Sequence, residues 1–285
     1  MCHEPPPSRL ARGVQTAGMV GDGTPLPELP ALVRDGGHGF DELGASDRWV
    51  RAAARWLGPL HDRWFRVSAA GREHVPARGP AILAANHSGG LPWDGAMIWR
   101  DLLASPTAPR LVRPIADHFV PSLPFVGTVL ARGGVVGGSG GNARALLERG
   151  EVLLIFPEGV PGIGKPFRER YRLRPFRVGH VELAIRHRAP IVPTAVIGAE
   201  EQMFELFRVR LGRAAAAPYL PVLVPPWPLP VRYHLLYGEP LDLAASHPPE
   251  DADDPDVLEA GAERVRAAVA GLIERGLRER RGWFR

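Results

Sequence analysis

The stretch AANHSGGLPWDGAM, residues 84–97, places an aspartate seven residues after a histidine. His87 and Asp94 have the chemistry of a general base and its orienting carboxylate. The carboxylate accepts a hydrogen bond from one imidazole nitrogen, and the other nitrogen takes a proton from an attacking hydroxyl. Buried imidazoles and carboxylates also pair for structural reasons, because an unpartnered charge in a protein interior is costly. The residues alone leave both interpretations open.

A second candidate is the sequence FPEG, residues 156–159, at the end of an apolar run. A glutamate in a tight turn after a strand can point into a crevice, or it can cap a nearby backbone amide. Arginines follow at every second or third position beyond the sole lysine, Lys165. Arginines bind phosphates bidentately, although a solvated face is the commoner role of such a run. They are Arg168, Arg170, Arg172, Arg174 and Arg177.

A third pattern, G-x-S-x-G at Gly137, Ser139 and Gly141, lies between a predicted strand and a predicted helix. A serine hydrolase carries its nucleophile in that context, and Asp242 and His247 follow in the required chain order. A glycine-rich turn matches the pattern easily, however, and a hydrolase leaves NHSGGLPWD and FPEG without a role. The hydrolase is therefore the weaker alternative.

Hydrophobic periodicity places these residues at the ends of strands. A buried strand, AILAAN, runs into His87, and Pro92 in the first turn of the next helix brings Asp94 back towards it. Short strands then alternate with helices as far as PIVPTAVIG. We therefore predict a single α/β domain with a mostly buried central sheet flanked by helices. Sites in such sheets form where strands end, which favours a shared crevice.

The two ends of the chain have different patterns. Residues 1–45 are rich in Pro and Gly without a sustained period, which predicts a mobile tail ahead of a domain at 46–285. Ser46 is the predicted N-cap of an amphipathic helix that kinks or ends near Pro59. One predicted stripe of this helix contains Trp49, Ala53, Trp56 and Leu60, and a predicted final helix has a face of Leu258, Ala262, Val265, Val269 and Leu272.

The composition limits the classes of function. The formal net charge is +4 and almost every cation is arginine, so the basic isoelectric point does not indicate nucleic-acid binding. The single cysteine, Cys2, excludes an internal disulfide framework and a cysteine-ligated metal site, and favours a reducing, cytosol-facing location. No apolar run approaches the ~20 residues that cross a bilayer, so we expect any membrane contact to be at the surface.

An ordered set of motifs resembles the glycerolipid (lysophosphatidic acid type) acyltransferase family. The set consists of Asn-His at a strand end with an aspartate soon after, LPFVGTVLARGGVV, LLIFPEG, RVGHVELAIRHRAPIVPTAVIGAE and YGEPLDL, and it covers about residues 64–243. The order and separation of these motifs make the set specific. The resemblance implies transfer of an acyl chain from a thioester, acyl-CoA or acyl-carrier protein, to a hydroxyl of a lipid-related acceptor.

The resemblance also implies roles for individual residues. His87 matches the family's catalytic base and Asp94 its charge partner, and the chemistry needs no metal or bound cofactor. Glu158 and Gly159 match the acceptor-binding loop. The predicted substrate-binding residues are Phe156, Pro157, Glu158, Gly159, Arg132, Lys165 and Arg168.

Two departures from the family pattern bear on the acceptor. The spacer between His87 and Asp94, SGGLPW, is longer than is usual in the family, and is more similar to that of its diacylglycerol acyltransferase-like branch. Gly138 and Ser139 stand where phosphate-binding members carry an arginine, which lowers the expectation of a phosphate-bearing acceptor. Arg132 or the later arginines are the candidates to replace it.

The predicted function is O-acyl transfer from acyl-CoA to a hydroxyl of a glycerolipid or lysophospholipid. A catalytically silent lipid-binding protein on the same fold is the other alternative beside the hydrolase. We expect a peripheral or monotopic protein on the cytoplasmic face of a membrane. The predicted membrane contacts are the Trp/Arg helix at residues 46–57 and the segment YLPVLVPPWPLP at residues 219–230.

Overall fold

The structure, a computed structural model, describes residues 33–88, 91–106, 108–163, 165–210 and 219–284. These residues form a mixed α/β domain in which helices cover both faces of a central sheet. The α/β class predicted from the sequence is therefore confirmed.

The strands alternate with helices along most of the chain, as the hydrophobic pattern predicts. The strands are β1 (Ser68–Ala70), β2 (Ala81–Ala85), β3 (Val112–Ala116), β4 (Val136–Gly137), β5 (Val152–Ile155), β6 (Ile191–Ile197), β7 (Phe204–Arg210), β8 (Tyr219–Val224) and β9 (His234–Tyr237). The helices are α1 (Asp47–Pro59), α2 (Trp93–Leu103), α3 (Val126–Arg132), α4 (Gly140–Glu148), α5 (Val160–Ile163), α6 (Gly179–His187) and α7 (Pro255–Glu279).

The central sheet has the strand order β1-β9-β6-β2-β5-β3-β4. From β6 to β4 all neighbouring strands are parallel, whereas β9 runs antiparallel to β6. Ala84 near the end of β2 lies opposite Ile155 of β5 and Pro193 of β6. The carboxyl ends of these three strands therefore meet at one edge of the sheet, where NHSGGLPWD and FPEG begin.

The core lies in two layers, one on each face of the sheet. Every residue of β2 is buried, which explains why its sequence is a continuous apolar run rather than an alternating one. Helices α1 and α2 pack on one face, and α4, α6 and α7 pack on the other. On α7 the predicted apolar face is buried as a whole: Leu258, Ala262, Val265, Val269 and Leu272.

The predicted boundary between tail and domain at residue 45 differs from the structure. Val33 and Ala45 are buried, and the buried Asp41 carboxylate accepts a hydrogen bond from the Arg113 guanidinium of β3 at 2.8 Å. A buried arginine needs an anionic partner, and periodicity analysis does not detect such a distant pairing. Residues 33–45 thus belong to the packed structure, and residues 1–32 of the predicted tail lie outside the described residues.

Helix α1 exists as predicted but buries a different face. Its buried residues are Val50, Ala54 and Gly58, whereas the side chains of Trp49 and Trp56 are exposed. This inner face packs on α2, where the Arg100 guanidinium donates a hydrogen bond to the Ala54 carbonyl at 3.0 Å. After Pro59 the chain continues into a π-helical turn.

Strands β7 and β8 form a separate two-stranded antiparallel sheet. No strand is predicted there from the sequence, and the apolar segment at 219–230 contains β8. The Pro-rich composition of that segment hides the strand, because Pro is unfavourable inside a sheet.

Candidate active site

The site begins where β2 ends. Asn86 uses its side-chain amide as a substitute for strand pairing: it accepts a hydrogen bond from the Val196 N–H at 2.8 Å and donates one to the Val196 carbonyl at 3.0 Å. These two bonds fix the backbone against β6 directly before His87.

His87 and Asp94 contact each other across the long spacer. The distance from His87 Nδ1 to Asp94 Oδ2 is 2.7 Å, and the Asp94 carboxylate lies fully buried in the first turn of α2. The same carboxylate accepts hydrogen bonds from the N–H groups of Ser88 at 2.8 Å and Gly95 at 2.7 Å. Gly89 and Gly90 of the spacer lie outside the described residues.

The electrostatics of this pair keep the carboxylate ionised. Burial raises the pKa of Asp94, but the charge interaction with His87 and the three hydrogen bonds that the carboxylate accepts outweigh burial, so the net pKa is lowered. An ionised carboxylate accepts the Nδ1–H hydrogen bond. The other imidazole nitrogen, Nε2, then has its lone pair available, and it makes no hydrogen bond to the part of the chain that the structure describes.

Phe156 forms one wall beside the imidazole. Its ring stacks on the His87 ring with a centroid distance of 4.0 Å and an interplanar angle of 16°. Because Phe156 directly follows β5, the neighbouring strand holds the ring in place. The stacking restricts the imidazole to one orientation.

Glu158 lies behind the histidine rather than in an open cleft. Its Oε1 accepts a hydrogen bond from the His87 N–H at 3.1 Å, and its Oε2 accepts one from the Arg174 N–H at 2.8 Å. The Lys165 ammonium lies 3.2 Å from Oε2, and both side chains are almost completely buried. In this geometry Glu158 and Lys165, both predicted to bind substrate, also support the backbone of the site.

A second buried carboxylate, on Glu200, completes this support and was missed from the sequence. Glu200 Oε1 lies 3.2 Å from the Lys165 ammonium, and Oε2 accepts a hydrogen bond from the Tyr171 N–H at 3.0 Å. Burial is the main reason that the pKa of Glu200 is raised, while Lys165 and Tyr171 lower it. The sequence signals this residue only through the acidic pair Glu200 and Glu201, which comes shortly after β6.

Arg177 is the arginine of the long run that lies beside the FPEG turn. Gly159 has a φ of +58°, and a Cβ atom there would come within 2.9 Å of the Arg177 guanidinium carbon. The Arg177 backbone N–H donates to the Pro157 carbonyl at 3.0 Å, which fixes the two segments together. Glycine at position 159 is therefore needed both for the turn and for the close approach of the guanidinium.

The other predicted phosphate contacts have partners elsewhere. Arg132 donates to the Gly44 carbonyl at 3.2 Å and lies over the Phe40 ring. Arg168 is 85% exposed, with Glu169 at 3.8 Å. The structure brings neither residue into the group around His87.

The hydrolase alternative lacks its geometry. The exposed Ser139 caps α4, where its hydroxyl accepts a hydrogen bond from the Asn142 N–H at 3.2 Å. His247 pairs with Asp251 at 3.0 Å, and Asp242 accepts a hydrogen bond from the Ala245 N–H. The serine-histidine hydrogen bond that would activate the nucleophile is not formed in the described chain.

Comparison with known proteins shows the family of the chain. A family model described as Acyltransferase matches residues 66–197, which contain His87, Asp94 and FPEG. An uncharacterised protein of Mycobacterium tuberculosis is 35% identical over 294 residues, covering 97% of this chain and 82% of that one. The chain belongs to the acyltransferase family.

Two further similarities are more distant. The 1-acyl-sn-glycerophosphate (LPA) acyltransferase PlsC from Thermotoga maritima has a similar fold, with a TM-score of 0.53 at 17% identity over 82% of this chain and 81% of that chain. The DGAT1/2-independent enzyme synthesizing storage lipids of Bos taurus is 25% identical over 74% of this chain and 60% of its own length. Within the described residues, no helix is long and apolar enough to cross a bilayer.

Proposed function

We propose that this acyltransferase moves a fatty acyl chain from acyl-CoA to a hydroxyl of a neutral glycerolipid, with His87 as the general base. The observation that carries the proposal is the 2.7 Å contact between His87 Nδ1 and Asp94 Oδ2, which leaves Nε2 as the proton acceptor. The family match supports acyl transfer in general, and the position of the pair at the strand-end edge supports this as the reacting centre.

In the proposed reaction, Nε2 of His87 takes the proton of the acceptor hydroxyl while the hydroxyl oxygen attacks the thioester carbonyl. Asp94 stabilises the imidazolium that forms. The tetrahedral intermediate collapses by breaking the carbon-sulfur bond, which gives the ester and a thiolate. A thiol has a pKa of about 8.5, so the leaving group needs little help from an acid. Neither a metal nor an acyl-enzyme takes part.

The developing oxyanion requires a donor, and the arrangement supports Arg177 in this role. Its guanidinium lies over the Gly159 turn, which adjoins Phe156, the stacking partner of His87. A cation held in place before the reaction stabilises a developing oxyanion without reorganising during the reaction.

A neutral acceptor is favoured because two of the predicted substrate-binding cations, Lys165 and Arg132, have other partners. Lys165 lies between the carboxylates of Glu158 and Glu200, and Arg132 is bound at Gly44. The name of the bovine relative refers to storage lipids, which are neutral. We therefore propose diacylglycerol, rather than glycerol-3-phosphate or a lysophospholipid, as the acceptor class.

The proposed location is the cytoplasmic face of a membrane, with the protein bound peripherally. Helix α1 supports this, because Trp56 is 83% exposed and Arg48 and Arg55 lie on the same outer face. Indole rings favour the headgroup depth of a bilayer, and guanidinium groups bind lipid phosphates.

The decisive experiment measures thiol release from palmitoyl-CoA with diacylglycerol, monoacylglycerol, lysophospholipids and glycerol-3-phosphate in turn. We expect release that depends on diacylglycerol and falls by about 10²–10⁴-fold in His87→Ala, because the general base is lost. Asp94→Asn should give a loss of similar size, whereas Ser139→Ala, the matched control, should keep full activity.

The other outcomes identify the alternatives. Release to water that is abolished by Ser139→Ala would establish a serine hydrolase. If no acceptor gives thiol release but the protein binds the acceptor lipids, a catalytically silent lipid-binding protein is favoured. Acceptor-dependent release that survives His87→Ala would contradict the proposed mechanism.

A further inference from the structure

The β7–β8 hairpin has an uncovered apolar face. The two strands pair only with each other, and a two-stranded sheet by itself is at best marginally stable in water. In the pairing register, Phe207 and Val209 of β7 share a face with Val222 and Val224 of β8, since paired residues and alternate residues point the same way. We call these four residues the hairpin face. Phe207 is 54% exposed, and Val209 and Val224 are exposed almost as much.

The base of the hairpin is attached to the walls of the active site. Trp227, which follows β8 and is 53% exposed, packs edge-to-face on Trp93 with a centroid distance of 6.0 Å. Trp93 directly precedes Asp94. The Trp64 indole N–H, at the end of the turn after α1, donates to the Pro228 carbonyl at 3.0 Å. The segment that follows β8 thus contacts both Trp93, next to Asp94, and the turn that follows α1.

We propose that the hairpin face docks on a bilayer, so that the active site opens towards the lipid phase. The proposal rests on the proposed function, because a diacylglycerol acceptor lies in the bilayer. Two observations carry it: an exposed apolar face and an exposed tryptophan at its base. Exposed apolar faces bordered by Trp are typical of proteins that lie in the interface.

A second copy of the chain fits the hairpin face less well. Strands of this length are about 20 Å long and about 4.8 Å apart, so the face offers roughly 200 Å². A stable protein interface buries about 800 Å² on each partner. A bilayer has no such minimum area, because binding strength grows with each apolar side chain that enters it.

The test is flotation with vesicles of phosphatidylcholine alone and of phosphatidylcholine with phosphatidylglycerol. We expect the double variant Phe207→Glu/Val209→Glu to bind the anionic vesicles at least about tenfold more weakly than the wild type, since both apolar side chains lose their burial. Phe207→Ser/Val209→Thr, which adds no charge and keeps strand-compatible residues, should also weaken binding. The matched control is Arg278→Glu, an exposed α7 position, which changes the net charge by the same amount.

Activity measurements separate this proposal from the proposed function. The hairpin variants should lose turnover of diacylglycerol presented in vesicles but keep turnover of a short-chain diacylglycerol dispersed in water. If the wild type turns over neither, the proposed function fails, and flotation still decides the docking proposal. Unchanged flotation of both hairpin variants would overturn it, as would an equal loss in Arg278→Glu. A concentration-dependent dimer that the variants dissociate would assign the face to a second copy.

Discussion

At the scale of single residues, the site depends on one buried lysine. Lys165 lies between the buried carboxylates of Glu158 and Glu200, and Glu158 in turn accepts the His87 N–H. Two carboxylates that face each other in an interior are unfavourable unless a cation lies between them. Lys165 therefore positions His87 indirectly, through Glu158.

We expect Lys165→Met to lower the free energy of unfolding by about 3–5 kcal/mol at pH 8, because it leaves buried charge without a partner. The pKa of Glu200, already raised by burial, should rise further. A raised carboxyl pKa costs stability above the unfolded-state pKa, so the defect should shrink as the pH falls and Glu200 takes up a proton. Urea unfolding of the variant and wild type at pH 8 and pH 5 measures this.

The double variant Lys165→Met/Glu200→Gln is the control for this prediction. It removes one of the two unpaired charges, so it should be more stable at pH 8 than Lys165→Met alone. A defect of the same size at both pH values would mean that Lys165 acts through packing rather than through charge.

At the scale of elements, the start of α6 determines where Arg177 lies. His180, in the first turn of the helix, is buried and its Nδ1–H donates to the Arg177 carbonyl at 2.7 Å. Burial lowers the pKa of His180 to about 4, and the hydrogen bond to the Arg177 carbonyl offsets only part of that effect. His180 is therefore neutral over the physiological range and is linked to the Arg177 segment by one neutral hydrogen bond.

This lowered pKa predicts acid sensitivity. Below pH 6.5 the unfolded chain binds a proton at His180 that the folded chain takes up only near pH 4, so His180 should remove up to about 3 kcal/mol of stability as the pH falls through that window. His180→Gln keeps an amide donor and does not titrate. Thermal unfolding between pH 7 and pH 4 should show that this variant loses less stability than the wild type as the pH falls. If both proteins lose stability equally with falling pH, His180 does not have this role.

At the scale of the whole molecule, the N-terminal segment at residues 33–45 is attached to the central sheet by buried charges. The buried Arg113 guanidinium of β3 donates hydrogen bonds to Asp41 at 2.8 Å and to Glu151 at 3.1 Å. Strand β3, the start of β5 and the segment at 33–45 therefore share one cluster of charged side chains. Burial is the main reason that the pKa of Glu151 is raised, while Arg113 lowers it. The segment is thus part of the folded unit and not a tether.

We expect Asp41→Ala to lower the free energy of unfolding by about 3 kcal/mol, because it removes one anion from a buried arginine. The matched control is the neighbouring Glu42→Ala, whose carboxylate is exposed and pairs with Arg149 at the surface. An exposed pair contributes at most about 1 kcal/mol, so the control should stay close to the wild type. Equal midpoints of urea unfolding for the two variants would contradict the structural role of Asp41.

Local patterns were sufficient for much of the fold. The α/β alternation, the buried face of α7 and the position of Asp94 in the first turn of α2 follow from periods and turn residues that lie within a few positions of each other. Strand ends are equally local signals, so His87 and FPEG could be placed at one edge of a parallel sheet.

The sequence by itself therefore determined the order of the elements and the residues that reach the strand-end edge. Only the tertiary structure decided what each of them contacts. Asn86 bonds to Val196, 110 residues away, and Arg113 bonds to Asp41, 72 residues away. The tertiary structure likewise decided that Lys165 lies between two carboxylates and that the β7–β8 hairpin has an exposed apolar face. The physical reason is that burial and charge pairing depend on which elements pack together, and no local period records that.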